Sequence, residues 1–240
     1  MDIFNIQIEF NHDVFRKAIE ECANNNGKGY VCVVDGNVLS KTHHDIEYRT
    51  VVNNALVNTC DGSSIATMAN IIYGTKFSAF NGPNVFKHFI ESKYKQVLVG
   101  NTEEVVKKIR NKVRKKGITN ELMHVDVPFC KVEDFDYQEI ASRINKIQPD
   151  IIWVSLGAPK QEQFMNRLLP YLDKGVMFGI GAAFNYYIGV LKPSKNPHFM
   201  WVKRMFQEPQ KQKGRAWNYI KVLPSIYIDE IKKKNKRNNN

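Results

Sequence analysis

Short apolar runs rich in β-branched residues alternate along this chain with longer amphipathic segments, and that alternation constrains the fold more than any other feature. The runs read as strands at residues 30–34, 55–59, 76–80, 96–100, 122–127, 151–156 and 176–180. QVLVG and DIIWVSLG suit strands buried on both faces. TEEVVKKIRNKVRKK (102–116) reads as a helix, with Val105, Val106, Ile109 and Val113 sharing one face. Its wet face carries Glu103 and Glu104 four residues ahead of Lys107 and Lys108, the spacing of helical ion pairs. The expected fold is therefore α/β: a doubly wound, largely parallel, Rossmann-like sheet with a basic helical C-terminal appendage. Ligands of such sheets bind beyond the carboxyl ends of the strands. Functional residues should follow the apolar runs directly.

A chain of 240 residues supports one well-buried domain with a small addition. Its net charge of +11 is unevenly placed, because residues 200–240 hold eleven Lys or Arg against Glu208, Asp229 and Glu230. That asymmetry suits an anionic partner for the C-terminus (a phosphate-bearing ligand, anionic lipid or nucleic acid), with a merely solubilising tail as the alternative. Pro193, Ser194, Lys195, Asn196 and Pro197 break the chain. The expected division is a core over 1–195, a basic amphipathic appendage over 196–231 and a disordered tail over 232–240, KKKNKRNNN. In the appendage Trp201, Met205 and Phe206 are placed to share one helical face, and Trp217, Ile220 and Leu223 another. Aromatic and aliphatic residues interleaved with cations suit a bilayer interface; an ordinary terminal helix packed on the core is the competing reading.

The four cysteines, Cys22, Cys32, Cys60 and Cys130, are scattered without zinc-binding spacing, which fits free thiols in a reducing compartment. No apolar run approaches the ~20 residues that span a bilayer. The start, MDIFNIQIEFNHD, carries acids where a signal peptide carries lysines. The expectation is a cytoplasmic protein attached peripherally to the inner face of the membrane.

Three polar constellations end apolar runs. VVDGNVL (33–39) and NTCDGSS (58–64) each place an Asp-Gly pair at the mouth of a cleft. Asp61 is then either the cap of the following helix or a carboxylate base able to take a proton from an acceptor hydroxyl. In WVSLGAPKQEQF (153–164) a strand runs through Gly157 and Pro159 into Lys160, Gln161 and Glu162. A helix start there favours anions, Lys160 adds a point charge for phosphate, and Gln161 and Glu162 offer directional hydrogen bonds of the kind that fix sugar hydroxyls. In MFGIGAAFNYYIG (177–189), Gly179 and Gly181 allow a diphosphate close to the backbone. It is a poor dinucleotide fingerprint, since Phe184 stands at the third glycine and no acid follows at the right spacing.

Taken in order, NTCDGSS, LGAPKQE, GIGAAFNYYIG and Trp201-x₂-Arg204-x₃-Glu208-Pro209 resemble the signature blocks of the WecG/TagA/CpsF glycosyltransferases, glycosyltransferase family 26, across residues 30–220. The resemblance implies an inverting enzyme that needs no metal or other cofactor. Its donor would be a UDP-sugar carrying N-acetylmannosamine, the corresponding uronic acid, or a hexose such as glucose. Its acceptor would be a polyprenyl-diphosphate-linked sugar, for teichoic acid, common antigen or capsule. It implies Asp61 as the general base, Gln161 in the pocket with Lys160 and Glu162 beside it, and Arg204, Lys211 and Arg215 at the diphosphate. Asp35, Gly62, Gly157, Gly181 and Asn185 fall at positions around the substrates. It further implies contact with an anionic membrane surface through the appendage, no nucleic acid, and compatibility with a homo-oligomer. The chain departs from the pattern at Val33 and Asp35, where Thr-x-Asn is usual, at Asn185, Asn84 and Lys211, and at Ala79 in place of an arginine. Those departures surround the substrates, so the sugar does not transfer from any relative. The competing readings are a nucleotide-dependent epimerase or dehydrogenase, which needs a glycine-rich turn that VVDGNV lacks, and a nucleic-acid- or anion-binding protein using the basic tail.

Overall fold

The computed structural model describes residues 1–119, 122–192, 206 and 209–238, with the backbone alone at 209, 211–213, 215, 216 and 238. Residues 2–7 form a hairpin of β1 (Asp2–Ile3) and β2 (Ile6–Gln7), closed by Phe4 and Asn5 at positive φ. The main sheet is parallel throughout, in the order β4-β3-β8-β7-β5-β6. Its strands are β3 (Lys28–Val34), β4 (Val57–Cys60), β5 (Gln96–Val99), β6 (Leu122–Val125), β7 (Ile151–Val154) and β8 (Gly175–Gly179).

Helices cover both faces, as continuous apolar strands require. One face carries α2 (Gly36–His44), α3 (Ile46–Asn53), α4 (Ser63–Tyr73), α7 (Tyr137–Ile147), α8 (Lys160–Leu168) and α10 (Pro209–Asn238), which share a core with Tyr30, Cys32, Val34 and Val154. The other carries α1 (His12–Asn24), α5 (Gly82–Ile90), α6 (Glu103–Lys115) and α9 (Ala183–Tyr187), which share a core with Val31, Leu98, Trp153 and Phe178. The strict alternation of Tyr30, Val31 and Cys32 between the two cores is the period-two signature of a strand. On the second face the buried Trp153 ring lies 4.7 Å from Phe86 and 4.7 Å from Phe178. Its indole N–H donates to Gln96 Oε1 at 2.7 Å, and Gln96 Nε2 donates to the Phe89 carbonyl at 2.9 Å. Both buried polar groups are thereby satisfied.

The topology places the clefts. The chain leaves β3 and β7 for helices on one face and leaves β8, between them, for a helix on the other. Crevices open at the carboxyl ends of strands where successive connections diverge in this way. The ends of β3, β8 and β7 are therefore the expected ligand mouth.

Residues 76–80, expected as a strand, are not one. Asn70 captures this segment, its Oδ1 accepting from Phe77 N at 2.7 Å and its Nδ2 donating to Phe77 O at 3.0 Å. Beside β4 a single peptide joins, Phe80 N to Cys60 O, while Thr59 Oγ1 takes the Phe80 carbonyl. Side chains consume the groups a ladder would need. The predicted helix over 102–116 is α6, capped by the Thr102 hydroxyl. Of its two predicted ion pairs Glu104–Lys108 forms at 2.6 Å, whereas Glu103 turns to Arg110 and His124.

The expectation of disorder over 232–240 gives way to helix through Asn238. Val222 and Ile226 of α10 are buried in the core, and Glu230 is buried with them. The Glu230 carboxylate accepts from Phe4 N at 2.7 Å and from the Tyr73 hydroxyl at 2.5 Å. Lys233 and Arg237 pair with Asp2 at 3.0 and 2.6 Å, and Lys234 donates to the Ile72 carbonyl. A lysine-rich segment that looks unstructured in sequence is held by the hairpin's acid and by a buried carboxylate.

Candidate active site

Both Asp-Gly pairs stand where β3 and β4 deliver them. Asp35 is half-buried and caps α2, its Oδ1 accepting from Val38 N at 2.9 Å. Asp61 does not cap α4; Gly62 does, without a side-chain bond. The Asp61 backbone N–H instead donates to the Val34 carbonyl, and its Oδ1 accepts from Gly82 N at 2.6 Å. A methyl placed on Gly82 would lie 3.6 Å from Val33 Cγ1, 3.7 Å from Asp61 Oδ1 and 3.7 Å from the Ile180 carbonyl oxygen. Asp61 is thus half-buried at the junction of β3, β4, α5 and the turn that leaves β8.

Gln161 joins the next two loops. Its Oε1 accepts from Gly157 N and from Gly181 N, each at 3.1 Å. Both glycines have positive φ, 78° and 50°, a conformation that favours glycine. Gly179 serves packing instead. A Cβ there would lie 2.7 Å from Met165 Cε and 3.2 Å from Gln161 Nε2, so its missing side chain lets α8 close on the sheet. Gln161 Nε2 donates to Glu162 Oε1 at 2.8 Å, and the Tyr48 hydroxyl donates to Glu162 Oε2 at 3.1 Å. The Glu162 side chain is sealed in the core. Burial pushes its carboxyl up to about 7, against the lowering effect of its hydrogen bonds and with the Asp35 charge raising it further. Gln161 and Glu162, expected to hold sugar hydroxyls, spend these bonds inside the protein, bracing the loops after β7 and β8.

Lys160 is also committed. Its ammonium donates to the Cys130 carbonyl and lies 4.9 Å from the Phe135 ring centre and 5.2 Å from that of Phe129, an aromatic that stands fully in solvent. Asn185 is half-buried on α9. Arg204 lies outside the described residues, as do Trp201 and Met205. Lys211 and Arg215 lie on the α10 backbone, where only the main chain is described. The structure therefore gathers Asp35, Asp61, Gly157, Gln161, Glu162 and Gly181 around the ends of β3, β4, β7 and β8, and turns Lys160 toward the β6 side. Among the described residues no cluster of three or more His, Cys, Asp or Glu is arranged to hold a metal ion.

Two participants leave no mark in the sequence pattern. Tyr48, on α3, supplies the second donor to Glu162. Tyr219, on α10, lays its ring on Gly36, where an added Cβ would meet Tyr219 Cγ and Cδ1 at 2.9 Å, and its hydroxyl meets Ser64 Oγ at 3.1 Å. Neither tyrosine carries a local signal, because each acts on a partner more than a hundred positions away in the chain.

Against this geometry stand the comparisons with known proteins. The model of the glycosyl transferase WecG/TagA/CpsF family matches residues 1–239. An N-acetylglucosaminyldiphosphoundecaprenol N-acetyl-beta-D-mannosaminyltransferase of Bacillus subtilis (strain 168) is 23% identical over 207 residues, covering 80% of this chain and 75% of the relative. Its namesake in Bacillus spizizenii is 23% identical over 194 residues, covering 78% and 72%. One from Staphylococcus aureus (strain MW2) is 25% identical over 138 residues, covering 56% and 50%. With a family model matched from end to end of the described fold, the chain belongs to the WecG/TagA/CpsF family and is a glycosyltransferase.

Proposed function

We propose that this enzyme transfers an N-acetylmannosamine-like sugar, its uronic acid or a hexose from a UDP-sugar to a polyprenyl-diphosphate-linked N-acetylglucosamine, with inversion and with Asp61 as general base. The observation that supports it most is the half-buried Asp61 carboxylate at the carboxyl end of β4, one oxygen anchored on Gly82 N beside the turn that Gln161 braces. The relatives' names supply the acceptor and sugar class. In the displacement the acceptor hydroxyl attacks the anomeric carbon and its proton passes to Asp61. The bond from that carbon to the diphosphate oxygen breaks, and the electron pair leaves with UDP. Preorganised cations are most effective where charge grows, here on the departing diphosphate. Arg204, Lys211 and Arg215 take that role in this reading, without a metal.

The test is a panel of UDP-sugars incubated with a short-chain diphosphate-linked N-acetylglucosamine, read by product mass. One UDP-sugar should give a disaccharide product and stoichiometric UDP, at a rate that EDTA leaves unchanged. Failure of every sugar to transfer would remove the donor assignment, and loss of the rate in EDTA would remove the metal-free mechanism.

The acceptor class implies a lipid surface, and α10 offers a face for one. Opposite its buried side, Trp217, Ile220 and Ile228 are 59%, 53% and 49% exposed, with Lys221 stacked on Trp217 at 4.9 Å and Lys232 and Lys236 in solvent. Leu223, expected beside Trp217 and Ile220, packs toward the core instead. Among the described residues no helix is long and apolar enough to cross a membrane. Apolar side chains flanked by lysines bind anionic interfaces peripherally, which supports attachment at the cytoplasmic face. Replacing Trp217, Ile220 and Ile228 together by Ser should lower co-sedimentation with phosphatidylglycerol vesicles about tenfold or more, given the apolar area lost. Unaltered sedimentation would count against this face.

A further inference from the structure

Tyr219 is the point at which the C-terminal helix touches the two junctions that carry the site's carboxylates. Its ring rests on Gly36, the residue after Asp35, so closely that a Cβ at Gly36 would fall 2.9 Å from Cγ and Cδ1 and 3.0 Å from Cε1. Its hydroxyl reaches Ser64 Oγ at 3.1 Å, in the first turn of α4 and three residues past Asp61. Burial pushes the phenol pKa up, against the lowering effect of its bond to Ser64 and with the Asp35 carboxylate raising it further. Position 215 stands one helical turn earlier on the same face of α10, at the i,i+4 spacing. Farther along, the helix is fixed independently by Val222, Ile226 and the Glu230 bonds.

We propose that Tyr219 is a positioning residue: its ring, seated on Gly36, sets the register of the first half of α10 over the starts of α2 and α4. That register aligns the basic positions of α10 with the carboxylate junctions at Asp35 and Asp61. The inference rests on the reading of the cleft as a UDP-sugar transfer site, and extends it by making turnover depend on how the helix seats. Gly36 is glycine because a side chain would displace the ring; its backbone is not among those with positive φ. Alanine there is thus favourable for helix α2 by propensity and unfavourable for the seat.

The expected results follow from that conflict. Gly36→Ala should keep a melting temperature near that of the wild type yet lower kcat about 10–100-fold, the scale of a small misplacement of a catalytic group. KM for the donor should move by no more than about threefold, since the altered interaction lies in the transition state. Tyr219→Ala should lower kcat similarly, and the double variant should be no worse than Tyr219→Ala alone, because both remove one contact. Tyr219→Phe keeps the ring and should stay within about threefold of the wild type, the worth of a modest hydrogen bond. A second readout is independent of transfer: in Tyr219→Ala, trypsin should cut after Lys221 faster than in the wild type, while Tyr219→Phe is cut like the wild type. If no UDP-sugar is transferred by the wild type, the functional reading fails and the protease result alone decides the seat. Normal kcat in Gly36→Ala, additive losses in the double variant, or unchanged cleavage after Lys221 in Tyr219→Ala would each overturn the proposal. Should Tyr219→Ala fail to fold, Gly36→Ala decides by kcat.

Discussion

Asp61→Asn is expected to lower kcat about 10²–10⁴-fold, the usual worth of a positioned general base, while leaving the fold intact. The two halves of that statement have separate causes. An Asn amide keeps an oxygen in the place of Asp61 Oδ1, so the bond from Gly82 N at 2.6 Å survives and the start of α5 stays where it is. The site is half-buried, and the amide oxygen still accepts from Gly82 N, so that backbone donor is not left unsatisfied. Under the proposed mechanism the amide cannot take the acceptor's proton, and the loss falls on the chemical step. Donor KM should change little, and the melting temperature should stay within a few degrees. The measurement is UDP release in the presence and absence of acceptor. A variant that turns over at wild-type rate would take Asp61 out of the base role, whatever becomes of the family assignment.

The second large effect is one of stability against pH, and it comes from Glu162. The side chain is sealed in the core and its carboxyl is raised from 4.5 to about 7, chiefly by burial. A raised folded-state value means that the folded protein holds the proton more tightly than the unfolded chain. The stabilisation is therefore complete below pH 4.5 and is lost as pH rises through about 7. Its size is about 3 kcal/mol, from the shift in pKa at roughly 1.4 kcal/mol per unit. For a domain of this length that corresponds to about 5–10 °C in melting temperature. Glu162→Gln removes the titration. Its amide oxygen can accept from Gln161 Nε2, and its NH₂ can face the Tyr48 hydroxyl, whose oxygen is able to accept. The variant should melt close to the wild type at pH 5 and clearly above it at pH 8. Parallel melting curves for the two proteins across that range would show that Glu162 does not carry the proton.

The sequence was readable where structure is local and opaque where it is not. Six of the seven expected strands exist, because a continuous apolar run of β-branched residues has few alternatives once helices must cover both sides. The seventh failed because Asn70, outside the window of residues 76–80, claims Phe77 from across a turn. The candidate site was legible as a set of strand ends: Asp35, Asp61, Gly157, Gln161 and Gly181 all fall at the carboxyl edge of the sheet. What each side chain does there was not legible. Lys160 has the composition of a phosphate ligand, yet its ammonium sits on the Cys130 carbonyl and the Phe135 ring. Gln161 has the composition of a sugar ligand, yet its carbonyl oxygen ties two glycine turns together. These choices are settled by neighbours brought in by the sheet order, which no local pattern encodes.

The grip of the first hairpin on the last helix has a consequence for how the molecule is made. Phe4 N and Glu230 Oε2 meet across 226 positions of chain, and Asp2 meets Lys233 across 231. Contacts so distant in sequence form late and slowly, because the closure entropy of the long intervening chain precedes them. On the ribosome the sheet can therefore assemble while the groove between α2 and α4 is still bare, awaiting a helix not yet synthesised. A nascent chain halted before residue 230 would expose that apolar groove to chaperones and proteases alike. The seam between the hairpin and α10 therefore reports, by its exposure or its closure, whether that helix has docked.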